Sequence, residues 1–546
     1  MRDQVNPSTA TRREFLLAGG AALAAVARPP AFHRAAEHDL VIRGGTVFDG
    51  TGAAGVQQDV AIAGGRIAAV GREIAGRATE EIDARGLAVA PGFIDIHSHG
   101  DGSLDQDPRA ESLIREGITT IIAGQDGGSD ATGAPDHGFD ALFRTVESYS
   151  PSVNVASMVG LGSVRGAVVG DRDRPATPEE IARMAGMVEA ALAQGACGAS
   201  SGLEYTPGAF ASRDELIALC RPLAARRLPY ATHMRNEDDR VLEAIDEAIA
   251  VAEGAKCPLQ ISHLKTQGPR NWGKLDAVFA RIATARRRGL DVAFDRYPYV
   301  AYQTGLTNLF PVWSRDGGID GFLGRLEDAS VAPKIRTETL GKIELLGGWD
   351  NVMVTSVRDS TDKAAEGKRL GAYSQAVSTD PYELAAALIR RSHGGVGMVG
   401  FAMSEDNLAR ILAHPLGMVC SDGGSYAVDG PTRRGSPHPR GLGTFPRVLG
   451  RYVRERRVLT LAKAVHKMSG LPASRVGLSD RGRIRRGLAA DVVLFDPATV
   501  ADQATFEQPF QYPVGIPVVI VNGVVALRQG ERAAKGTGRA LRPTRS

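Results

Sequence analysis

The sequence predicts an α/β fold: a (β/α)8 TIM-type barrel with a small β-sandwich domain built from both chain ends. Three observations predict it. Short glycine-punctuated β-type runs open and close the chain. Between them apolar strand-like runs alternate with helical stretches. Polar residues recur directly after those runs, where a parallel barrel exposes the C-terminal ends of its strands.

The opening runs are Asp39 to Val47 and Asp59 to Ile67, read as a small antiparallel sheet. Their counterparts are Asp491 to Asp496 and Val518 to Val525, the last with an Asn522-Gly523 hairpin turn. The sandwich is therefore assigned to residues 38–90 plus 482–546 and the barrel to residues 91–481. Ile118 to Ile122 and Leu290 to Phe294 are representative barrel strands, and Glu179 to Gln194 a representative helix.

Residues 1–35 read as a targeting segment. Thr11-Arg12-Arg13-Glu14-Phe15-Leu16-Leu17 leads into a short, weakly apolar stretch ending in Ala25-Val26-Ala27. That pattern resembles a twin-arginine signal peptide and falls short of the roughly 20 residues of a membrane helix. It predicts a periplasmic or secreted protein, no stable membrane span, and the twin-arginine export machinery as a partner.

A 546-residue chain with 43% apolar and 23% charged residues can build a large core. The net charge of +3 is small and scattered, which argues against nucleic acid as a partner. Cys197, Cys220, Cys257 and Cys420 are widely spaced without a CxxC, so buried free thiols are expected.

Chemistry concentrates at strand ends. Ile94-Asp95-Ile96-His97-Ser98-His99 closes a strand-like run with two histidines two apart, and the strand period of two places both rings on one face. Ala231-Thr232-His233 and Gln260-Ile261-Ser262-His263 each add one histidine after a later run. Four imidazoles from three separate strands suit a zinc-like ion. Asp422, after Leu416 to Ser421, supplies a carboxylate able to bind metal or carry a proton, its alternative being a turn aspartate. No Gly-x-Ser-x-Gly elbow supports a serine nucleophile.

Together with Ala90-Pro91-Gly92-Phe93, Ser262-His263-Leu264-Lys265, Ser421-Asp422-Gly423 and His438 to Arg447, these motifs resemble the amidohydrolase superfamily, and within it the N-acyl-D-amino-acid deacylases, or D-aminoacylases. The resemblance covers nearly everything after the signal. It implies metal-dependent hydrolysis of the amide bond of N-acyl-D-amino acids with zinc, as one or two divalent ions. It also implies that His233 and His263 hold the tighter ion with a ligand from the strand after His99, that His97 and His99 attend a second position, and that Asp422 is the general acid/base.

Two departures stand out. Where the best-known deacylases carry cysteine, this chain reads Gly124-Gln125-Asp126-Gly127, which puts Asp126 in the ligand position or leaves it a glycine-turn aspartate. A carboxylate is harder than a thiolate and can bridge two ions. Leu161 stands where relatives often have histidine. For the carboxylate of an N-acyl amino acid the resemblance points to Lys265, Tyr297 and Arg440. Lys265 has a pair with a nearby carboxylate as its alternative, and Arg440 has solvent exposure. The stretch Asp429 to Pro439 is longer than in close relatives. Competing activities are cyclic-amide hydrolysis of the dihydroorotase or hydantoinase kind, dipeptide cleavage, and a non-catalytic scaffold on the same fold.

Overall fold

The computed structural model describes residues 36–544 apart from 135 and 534, so the targeting segment lies outside the described residues. Nine strands from both ends of the chain form one sheet. Along Val492–Phe495 and Val518–Val521 alternate residues serve two cores. Val492, Leu494, Val518 and Ile520 pack with Leu40, Ile42, Val60 and Ile62. Val493, Phe495, Val519 and Val521 pack instead against Phe93, Ile114 and Phe445 of the barrel side. Such strands are buried on both faces, which is why they read as unbroken apolar runs.

The sheet is mixed rather than antiparallel. A bulge between Ile42 and Gly45, with Gly44 at φ 67°, bends the strand His38–Val47. Its first half then pairs in parallel with Ala78–Asp83 and its second with Ala88–Val89. At the other end Asn522 and Gly523 both take positive φ, the geometry of a tight two-residue hairpin turn, between Val518–Val521 and Val524–Arg528.

The barrel strands are Phe93–Asp95, Ile118–Ala123, Asn154–Ser157 continued by Val159–Gly160, Ala199–Gly202, Tyr230–His233, Leu259–Ile261, Val292–Arg296 and Gly417–Val419. Successive strands pair in parallel, in two sheets parted at Met158. Main-chain bonds from Met158 to Ala123 and from Val159 to Gly198 carry the ring across that gap. Asp422 N to His97 O and His99 N to Gly423 O, each 2.9 Å, join the last strand's end to the first. The ring thus closes at the C-terminal rim, where the chemistry-bearing residues lie. Thr177 and Glu180 form a reciprocal capping box on the helix Pro178–Ala193, fixing where that helix starts.

Between the seventh and eighth strands the chain inserts a second layer. Ala301–Gly305, Val352–Val357 and Val396–Phe401 form an antiparallel sheet, accompanied by helices including Ala332–Leu346 and Pro381–Arg391. Its strands are short apolar runs between helices, as the barrel's are, so apolar pattern alone does not separate the two. No helix among the described residues is long and apolar enough to cross a membrane.

Candidate metal centre

His97, His99, Asp126, His233, His263 and Asp422 all reach the rim of the barrel, and all but His97 face one cavity of about 870 Å³. Three of them, Asp126, His263 and Asp422, have φ of 52°, 37° and 50°. Non-glycine residues rarely take this left-handed backbone, and each lies just past a strand end. At each of these turns the side chain ends on the cavity wall. Asp95 holds the neighbouring turn by accepting from Ser421 N at 2.8 Å and from the Ser421 hydroxyl.

Asp126 sits at the centre. Its Oδ1 lies 3.4 Å from His97 Nε2 and 3.5 Å from His263 Nε2, and its Oδ2 lies 3.5 Å from His99 Nε2 and 3.9 Å from His233 Nδ1. Asp422 Oδ1 faces the first pair at 3.3 Å from His99 Nε2 and 3.6 Å from His97 Nε2. Two donor sets therefore share one carboxylate: His97, His99, Asp126 and Asp422 on one side, and Asp126, His233 and His263 on the other.

Whether these donors fit a cation is decided by atoms lacking other partners. His97 Nδ1 and Nε2 and Asp126 Oδ1 are buried without a hydrogen bond. His233 Nδ1 and His263 Nε2 point at each other across 3.1 Å. Convergent lone pairs with nothing between them fit a divalent ion of the zinc type. The charge balance agrees. Burial works against protonation of His99 and His233, yet Asp126 with Asp422 raises His99 to about 10, and Glu237, Glu204 and Asp126 raise His233 to about 9. The acids demand positive charge, and an ion would supply it.

The rear of the histidines is held by carboxylates that the sequence reading passed over. Glu204 Oε2 is 3.4 Å from His233 Nε2, and Glu237 Oε1 is 3.1 Å from His263 Nδ1. Glu237 follows His233 by four residues, in the loop after that strand. Glu204 follows the strand Ala199–Gly202, whose Ala-Ser-Ser-Gly sequence is no apolar run. Those residues are small because space is short: a Cβ on Gly202 would meet Asp126 O at 2.0 Å.

Lys265, Tyr297 and Arg440 all line the cavity, but two are already engaged. Lys265 Nζ is bound to Glu237 at 2.6 Å, the paired arrangement weighed from sequence, and lies 2.6 Å from His263 Nδ1. Arg440 is buried, not in solvent, and donates to Asp422 Oδ2 at 2.6 Å while stacking 4.7 Å from the Tyr297 ring centre. Tyr297 Oη is buried without a partner. Leu161 turns into the apolar core, leaving Gly162 and Ser163 on the cavity wall. All four cysteines are buried free thiols.

Comparison with known proteins agrees with this geometry. Residues 80–344 and 425–527 match the amidohydrolase family. An N-acyl-D-glutamate deacylase of Alcaligenes xylosoxydans xylosoxydans is 38% identical, covering 92% of this chain and 96% of that protein. A D-aminoacylase of the same organism is 36% identical, covering 93% and 98%. The crystal structure of the Bordetella bronchiseptica N-acyl-D-glutamate deacylase, complexed with zinc and a phosphonate mimic of the tetrahedral intermediate, superposes with a TM-score of 0.79. It has 36% identity and covers 92% of this chain and 99% of that one. The chain belongs to the amidohydrolase family, among its N-acyl-D-amino-acid deacylases.

Proposed function

We propose that this protein hydrolyses the amide bond of N-acyl-D-amino acids, releasing a carboxylate and a free D-amino acid. The observation that carries the reading is Asp126 shared by two facing donor sets, with Asp422 a member of one of them and on the cavity wall. His233 and His263 with Asp126 would hold the tighter zinc-type ion, and His97 and His99 a second. Such an ion polarises the substrate carbonyl and makes water acidic enough to attack at neutral pH.

The remaining work falls to the chain's own groups. Asp422 accepts the proton of the attacking water and returns it to the amide nitrogen as the C–N bond breaks, because an amide anion is too basic to leave. Tyr297 Oη and Arg440, side by side on the cavity wall, offer donors to the substrate's carboxylate. Lys265 adds positive charge behind His263 but is held by Glu237.

Purified protein should contain zinc or a similar ion and release free amino acid from N-acetyl-D-amino acids, screened beside their L-forms. Full activity in metal-free protein overturns the reading.

Export by the twin-arginine route to the periplasm or medium belongs to the same proposal, supported by Thr11 to Leu17 and Ala25-Val26-Ala27. Residues 1–35 fused to a folded reporter should carry it out of the cytoplasm, and Arg12→Lys with Arg13→Lys should retain it. Export of that double variant at the unchanged rate argues against the route.

A further inference from the structure

Beside the two donor sets that share Asp126, the cavity holds a buried carboxylate with an oxygen to spare, Glu204, which converges with His233 and Glu237 in a third group. Glu204 is 8% exposed and lines the cavity beside Tyr205, Tyr302 and Asn308. Its Oε2 faces His233 and accepts from Asn308 Nδ2 at 3.2 Å. Arg315 donates to the main-chain oxygen of Glu204 at 3.0 Å, not to its carboxylate. Lys342, the nearby lysine, is bound to Asp238 at 2.5 Å. Among the described residues the Glu204 carboxylate has no lysine or arginine within ion-pair distance, only His233.

The rest of the wall sharpens the point. Asp101 and Asp130 add two carboxylates to the cavity wall. Of the cavity's cations, Lys265 is held by Glu237, Arg440 is shared with Asp422, and Arg434 is exposed and keeps its charge, with the neutral Gln106 amide as its partner at 3.2 Å. A substrate bringing only its α-carboxylate finds Tyr297 and Arg440. A second carboxylate on the Glu204 side would instead meet a like charge in a partly desolvated space. A side chain bearing a cation or an amide N–H instead finds the free Oε1.

We propose that Glu204 reads the variable part of the substrate, admitting N-acyl-D-amino acids with cationic or hydrogen-bond-donating side chains and rejecting those of D-glutamate and D-aspartate. This rests on the deacylase reading above and narrows its substrate class. The two oxygens divide the work, Oε2 towards His233 and Oε1 towards the substrate. Specificity here comes as much from repulsion of the wrong side chain as from attraction of the right one.

The test compares kcat/KM for N-acetyl-D-arginine, N-acetyl-D-glutamine, N-acetyl-D-leucine and N-acetyl-D-glutamate on metal-loaded protein. The arginine and glutamine substrates should each exceed the glutamate substrate by at least about tenfold. Glu204→Gln should collapse the arginine-to-glutamate ratio by at least about tenfold, mainly through KM, and Glu204→Asp should keep most of it. Turnover of the leucine substrate with glutamate equal or preferred overturns this inference alone. No turnover of any of the four overturns the deacylase reading and this inference with it. Should Glu204→Gln lose its metal or fail to fold, the wild-type ratios still decide.

Discussion

Arg440 and Asp422 form a buried ion pair, Nη1 to Oδ2 at 2.6 Å, inside the cavity that must admit an anionic substrate. Burial by itself would raise the Asp422 carboxyl, but Arg440, His263 and His97 outweigh it and hold the group well below the usual carboxylate range. One arginine is thus shared between the proposed proton carrier and the place a substrate carboxylate would occupy. Substrate binding and proton transfer are coupled through it.

That coupling predicts a pH effect. Asp422 must be ionised to accept a proton, so activity should fall at acid pH as it protonates. In Arg440→Gln the largest favourable charge is gone and the Asp422 pKa rises towards the value that burial favours. The acid limb of the kcat/KM profile should therefore move to higher pH, with KM raised as well. An acid limb that stays in place while KM rises would make Arg440 a binding group alone. Asp422→Asn should lose about 10²–10⁴-fold in kcat, the range for a removed general acid/base.

Metal removal supplies a second prediction. A chelator should abolish activity, and added zinc should restore it. An ion at 1,000 times its dissociation constant stabilises the folded chain by about 4 kcal/mol, so the melting temperature should fall on stripping. Asp126→Ala removes the shared carboxylate and should lower bound metal per chain, measured by elemental analysis. Asp126→Cys keeps an anionic donor and should retain zinc while losing affinity for harder ions such as manganese. Unchanged metal content in Asp126→Ala would make Asp126 a turn residue only.

Much of this site was legible because barrel chemistry sits directly after apolar strands. His97, His99, His233, His263 and Asp422 each follow such a run, and each reaches the rim. Glu204 was not legible, since its strand is Ala-Ser-Ser-Gly, small for packing reasons that only the neighbouring Asp126 turn explains. Glu237 was missed because nothing local marks a carboxylate whose partners, His263 and Lys265, come from the next strand end. A carboxylate partner for Lys265 was open from sequence, but its identity as Glu237 and the pairing of Arg440 with Asp422 were hidden, for both depend on distances across the barrel. The inserted layer between the seventh and eighth strands was hidden because its strands, such as Val396–Phe401, carry the same apolar pattern as the barrel's.

Glu116 gives a stability prediction away from the candidate ligands. It is fully buried, accepts from Phe445 N at 3.1 Å through Oε2, and leaves Oε1 without a partner. Burial raises its pKa well above 4.5. A raised folded pKa means that the group's contribution is whole below the unfolded value and is lost as pH rises through the folded one. Glu116→Gln stays neutral throughout and should stabilise the protein by about 1–3 kcal/mol at pH 8. Near pH 5 the gain should be much smaller. Melting curves at the two pH values check this, and an equal shift at both would contradict it.

Gly202 tests whether the Asp126 turn positions a metal donor. A Cβ there would lie 2.0 Å from Asp126 O and 2.7 Å from Tyr205 Cδ2. Gly202→Ala removes no donor atom, yet the Asp126 main chain must shift, at an overpacking cost of about 1–3 kcal/mol. Because Asp126 contacts all four histidines, that shift should weaken zinc binding by about 10–100-fold, as losses around a metal's supporting shell do. Gly324→Ala is the control, since a Cβ on that helical glycine meets nothing within 4 Å. It should leave metal affinity unchanged and add up to about 1 kcal/mol of stability. Chelator competition on both variants separates the outcomes. If Gly202→Ala melts lower but binds zinc as tightly as the parent, the left-handed turn at Asp126 serves packing and not the metal site.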